Sequence, residues 1–180
     1  MDRVGHIRLM ATYNEWMNAK VYAAARQLSD EELVANRKAF FGSILETLNH
    51  LVNSDTHWLK RFATHPAEYV ALEPLRNLLA PDVNDLLRFP DLQSLTEHRQ
   101  WLDGIIIEWA GTVAEPDLDF VLHYANSLGI VADKNFFGLL MHFFNHQTHH
   151  RGQITTLLSQ AGIDVGVTDL NALVPNESGV

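Results

Sequence analysis

Apolar residues recur at three- and four-residue spacing from residue 5 to residue 28, where Ile7, Met10, Met17, Val21, Ala25 and Leu28 form one stripe with Asn14 inside it. That spacing predicts a first long helix. SDEE at 29 to 32 has the form of a capping box and predicts a short helical turn after it. SILE at 43 to 46 repeats the device and opens a second long helix, with a stripe of Ile44, Leu48, Leu51, Asp55, Trp58 and Phe62. From Thr64 to Leu92 the pattern fades and Pro66, Pro74, Pro81 and Pro90 interrupt it, so an irregular connection with short helical pieces is expected. A third helix is expected from Ser94 or Thr96, where SLTE fits a capping box, with Leu95, Leu102, Ile105, Ile106, Trp109 and Val113 inward. The period then changes to alternation at 120 to 125. With NSLG as a turn and IVA after it, a small hairpin is expected. A fourth helix follows, capped by Asp133, running to Ala161 and stopped by Gly162.

These elements predict an all-α fold, an up-and-down four-helix bundle with long crossover connections and a small hairpin before the last helix. One domain spanning 1–180 is expected, with 163–180 as a loop-like tail, because 180 residues suffice for one core and not comfortably for two. A net charge of -9 repels phosphate backbones, which argues against nucleic-acid binding. No apolar run reaches the roughly 18 residues of a membrane span, and nothing near Met1 reads as a signal peptide, so no membrane partner and a cytoplasmic location are expected. The chain has no cysteine. Disulfides and thiolate metal sites are excluded, and any thiol chemistry requires a thiol from a substrate.

The candidate chemistry lies in HFFNHQTHHRGQ, residues 142 to 153. At about 100° per residue, His146 and His150 share an arc with Leu139 and Leu157, whereas His142 and His149 fall further round. Histidines four apart on one helix face can aim two ring nitrogens at a single point. Two imidazoles hydrogen-bonded to neighbours make an equally weighted reading of that pair. A stable metal site needs a third ligand, for which His50 and His57 on the second helix are the candidates, and periodicity does not choose between them. HExxH and Glu-x-x-His motifs are absent, which removes zincin and ferritin-like sites.

The segments YNEWMN (13 to 18), FFGSILETLNHLVNSDTHWLKRF (40 to 62) and FFNHQTHHRGQITTLLSQAGIDVGVTDL (143 to 170) resemble the DinB family of four-helix metalloproteins in order and spacing. The resemblance implies a divalent ion held by one histidine of the second helix and two of the last, which fall on His50, His146 and His150. His142, His149 and His57 then stand outside the ligand set. The family is grouped with enzymes that use thiols such as bacillithiol or mycothiol, which implies a thiol S-transferase with a low-molecular-weight thiol cosubstrate. Its name, from induction by DNA damage, carries no implication of DNA binding.

Three neutral imidazoles leave a coordination position open, the arrangement of catalytic rather than closed structural sites. Such a position takes water, for hydrolysis, or a thiol, for transfer. The expected function is therefore a metal-dependent thiol S-transferase or hydrolase; the alternative is a non-catalytic, stress-associated bundle in which the ion ties two helices together. Zinc, nickel and iron all suit three imidazoles. Asp55 reads as a buried carboxylate paired with Arg61 or Arg151, or as a support for a ligand imidazole. Asn14 either lines a pocket or bridges helices. Trp16, Trp58, Trp101 and Trp109 read as core or interface anchors, and a homodimer is expected. His6, His65, His98 and His123 read as ordinary exposed or half-exposed residues.

Overall fold

Four long helices carry the fold: α1 (Arg3–Ala25), α3 (Ile44–Phe62), α5 (Leu92–Thr112) and α6 (Phe136–Gln160). The short helices α2 (Asp30–Val34) and α4 (Glu73–Arg76) lie in the connections, and β1 (Val121–Ala125) pairs antiparallel with β2 (Val131–Asn135). The computed structural model describes residues 1–82, 84–126 and 129–176. The protein is thus mostly helical, with the expected hairpin present, though the NSLG turn lies partly at 127 and 128, outside the described residues. Helix α1 packs on α5 and α6, and α3 packs on α6 and α5. Among the described residues no helix is long and apolar enough to cross a membrane.

Caps define the helix ends, and three starts differ from expectation. Ser29 and Glu32 form the reciprocal capping box of α2, and Ser43 accepts from the Glu46 amide at the start of α3. Helix α5 begins earlier than Ser94 or Thr96, because the Asp91 carboxylate accepts from the Ser94 amide at 2.7 Å and the Ser94 hydroxyl donates back to the Asp91 carbonyl. A carboxylate in extended backbone just after Pro90 competes better for the free helix amides than the serine one turn later. Helix α6 is capped by Asn135 instead of Asp133, since β2 runs to Asn135 and Asp133 is held by His123 across the ladder. Asp2 likewise caps α1 two residues ahead of the expected start. Gly162, at φ +81, stops α6 as expected in a conformation other residues adopt at a cost.

At the centre, Phe62, Trp109, Phe136 and Phe143 are fully buried, with Phe62 stacked on Trp109 at 5.3 Å and edge-on to Phe143 at 5.6 Å. Such aromatic contacts add about 0.5–1.5 kcal/mol each beyond their burial. Trp101 departs from the anchor reading at 39% exposure, and His65 is buried, not exposed, against Tyr69, Phe120 and Phe136. After Gly162 the tail carries a 3-10 turn, Leu170–Leu173, and the Tyr13 hydroxyl ties it to α1 by donating to the Thr168 carbonyl.

A polar layer crosses this core. Arg99 on α5 pairs with Asp55 on α3 at 2.5 Å and with Asp103, one turn along, at 2.9 Å. Asp55 also accepts from Gln147 on α6 at 3.0 Å. Asn14 and Asn18 on α1 donate to Asp103, and Arg151 on α6 donates to both asparagines. The expected partner of Asp55 is thus corrected from Arg61 or Arg151 to Arg99. Arg61 instead lies over the rings of Trp58 and Tyr124. Asn14 bridges helices. Burial pushes the Asp103 carboxyl up to about 6 against the pull of Arg99 and Asn18.

Candidate metal centre

Residue spacing puts the site at the margin of the packed core. The buried residues of α6, from Phe136 through Leu140, Phe144, Gln147, Arg151 and Leu158, fill one broad arc. His150 sits at its edge and is buried; His146 lies just beyond it and is half-buried; His142 and His149 are exposed. The leucines that share an arc with the two inner histidines mark the border of the buried stripe, so imidazoles placed there sit between the core and the exposed face of the helix. On α3, His50 holds the equivalent marginal position and is half-buried.

The two helices bring the three rings together. Nε2 of His50 lies 3.2 Å from Nε2 of His146, and the His150 ring centroid is 4.6 Å from that of His50 and 4.4 Å from that of His146. One ring nitrogen from each of the three can be chosen so that all lie within 4.8 Å of one another. Two nitrogens bound at about 2.0–2.1 Å to one tetrahedral ion would stand about 3.3–3.4 Å apart. The His50–His146 separation therefore fits a shared ion. Among the described residues no carboxylate and no fourth histidine joins the cluster. His57, the other candidate on α3, is turned away to the Pro81 carbonyl at 2.5 Å.

Electrostatics favour the form of the rings that binds a cation. Burial, then the neighbouring histidines, push His146 down to about 3, and burial with His150 pushes His50 down to about 4. His150 is also lowered, chiefly by burial. Near neutral pH all three rings present lone pairs. Gln153 accepts from Nδ1 of His150 at 2.8 Å, which fixes the tautomer that leaves Nε2 free, and its amide nitrogen approaches His149 at 3.3 Å. Nδ1 of His146 is buried without a partner among the described residues. The Ser54 hydroxyl is 3.4 Å from Nε2 of His50.

The comparisons with known proteins bear on this arrangement. The model of the DinB family matches residues 1–177. The chain belongs to the DinB family. A DinB-family relative, "Protein DinB" of Bacillus subtilis (strain 168), is 27% identical over 159 residues, covering 87% of each chain. No solved structure matches the chain.

Three features of this DinB-family site were not visible in the sequence. Phe41 stacks on His50 at 4.0 Å and lies 5.4 Å from His150, forming a lid over one side of the cluster. Arg99 and Gln147 hold Asp55 behind it. The contacts of Phe41 with His150, and of Asp55 with Arg99 and Gln147, join elements distant in the chain. The FF pair just ahead of the SILE cap was the one available signal for Phe41, since apolar residues in a turn before a helix need something to cover.

Proposed function

We propose that this chain is a metal-dependent enzyme, a thiol S-transferase or hydrolase, in which His50, His146 and His150 hold a divalent ion within an up-and-down four-helix bundle. The observation that supports this reading is the convergence of three neutral imidazoles with no carboxylate and no fourth ligand beside them among the described residues. Such an ion keeps its full charge and a position for a guest, where it acts as a Lewis acid that favours the deprotonated form of a bound thiol or water.

The protein's own residues prepare that position. Gln153 holds the His150 proton on Nδ1, so that Nε2 faces the cluster. The Asp55–Gln147 hydrogen bond sets α3 against α6 behind the histidines, and the Asp55–Arg99 pair ties α3 to α5. Phe41 excludes water from the face of His50. Ser54 places a hydroxyl at the rim, within reach of a group approaching His50. With no cysteine in the chain, a thiol taking part would be the cosubstrate.

The test is cobalt substitution of the full chain followed by absorption spectroscopy with 2-mercaptoethanol. A change in the cobalt bands with saturable dependence on thiol supports an open position. Bands that ignore every thiol and show a fully protein-ligated ion would instead favour an ion that only clamps α3 to α6.

A further inference from the structure

The helix faces that carry the cluster continue along α3 and α6 toward the hairpin. On α3, His50, Ser54 and Trp58 follow at four-residue steps and so share one face; on α6, His146, His142 and Gly138 do the same in the opposite direction. His50 stands across from His146, and Trp58 stands across from His142 with ring centroids 5.0 Å apart. The His142 and His146 rings are 5.9 Å apart, so an unbroken row of rings runs from the cluster to Trp58. Eight residues of helix separate His50 from Trp58, about 12 Å.

At the hairpin end of these faces lies a cleft of about 650 Å³ between α3, the hairpin and the start of α6, a size suited to a small organic ligand. Trp58 and Tyr124 meet edge to face at 5.6 Å and form its aromatic wall. Lys134 lines the cleft and has no ion-pair partner among the described residues. Asp133 lines it too, but His123 engages it at 2.7 Å. Behind the wall, Arg61 stacks on both aromatic rings and has no carboxylate partner among the described residues. Lys134 and Arg61 outnumber the one carboxylate, Asp133, around the cleft, a local positive balance in a chain of net charge -9.

We propose that this cleft is the substrate subsite of the histidine centre, and that it takes the carboxylate end of an elongated organic ligand. The proposal rests on the metal-centre reading for what happens at the ligand's other end. The apolar stem lies against Trp58 and Tyr124, the carboxylate meets Lys134 in the field of Arg61, and the reacting group reaches the histidines about 12 Å away. Lys134, Trp58 and Tyr124 are thus specificity-determining residues, distinct from the ligand set.

The experiment measures binding of 8-mercaptooctanoate and 8-mercaptooctanol to the full chain by calorimetry, with and without the ion. The carboxylate should bind about fivefold tighter than the alcohol, as one exposed ion pair allows. That preference should vanish in Lys134→Met, an exposed position where misfolding is not expected, and Trp58→Phe should weaken both probes alike. The preference should survive removal of the ion. Equal affinities for the two probes, or a carboxylate preference that Lys134→Met leaves intact, would overturn the proposal. 2-Mercaptoethanol is too short to reach the cleft, so its effect on the cobalt bands reports on the metal centre alone and separates failure of one idea from failure of the other.

Discussion

A single imidazole shows how much depends on placement. His146 and His149 are the same residue type on one helix, three positions apart, yet only His146 faces the core margin. Alanine at His50, His146 or His150 should therefore remove the ion, whereas alanine at His57, His142 or His149 should leave close to one ion per chain by elemental analysis. Full metal content in a His146→Ala protein would dismiss the assignment. The depressed values of His50 and His146 also fix a direction with pH. The folded state of the metal-free protein refuses protons that the unfolded chain accepts below the ordinary histidine value of 6.5. These two groups contribute their full stability above that value. The contribution is lost as pH falls toward about 4 for His50 and about 3 for His146. A His50→Ala/His146→Ala double variant should show a shallower acid decline in chemical denaturation than the wild type.

Among the elements, those with strong period were legible and those set by competition were not. The stripes of α1, α3, α5 and α6 announce helices because burial of one face repeats every three to four residues. The alternation at 121 to 125 announces β1 for the corresponding reason at period two. Helix starts were misplaced where two capping residues lay within a turn of each other, as Asp91 and Ser94 do. Asp91→Ala should cost about 1 kcal/mol, whereas Ser94→Ala should cost little, by urea denaturation. The partner of Asp55 was illegible for another reason. Periodicity gives the inward direction of a charge but not which helix stands opposite, and three arginines were available to meet it. Arg99→Met would leave Asp55 and Asp103 buried without their cation, and a loss of about 3–5 kcal/mol is expected in the same measurement.

For the molecule as a whole, the ordering of parts matters more than any one contact. The histidine cluster joins α3 to α6, and the polar layer from Asn14 through Asp103, Arg99, Asp55 and Gln147 joins all four long helices just behind it. Chelation of the ion should lower the melting temperature while leaving the far-ultraviolet circular dichroism unchanged at 25 °C, because the aromatic core and this layer persist without it. The hairpin, apparent in the sequence as a change of period around a turn motif, supplies one wall of the cleft beside the site.

The turn before α3 adds a consequence in time. Gly42 sits at φ +79, its amide bonds the Ala39 carbonyl and its carbonyl receives the Arg37 amide, and this tight loop holds Phe41 against His50. A methyl group on Gly42 would meet the Glu46 carboxylate at 2.7 Å as well as strain the backbone. Gly42→Ala alters no imidazole, so equilibrium occupancy should change little, but the cation should escape to a competing chelator faster once its aromatic shutter hangs loose.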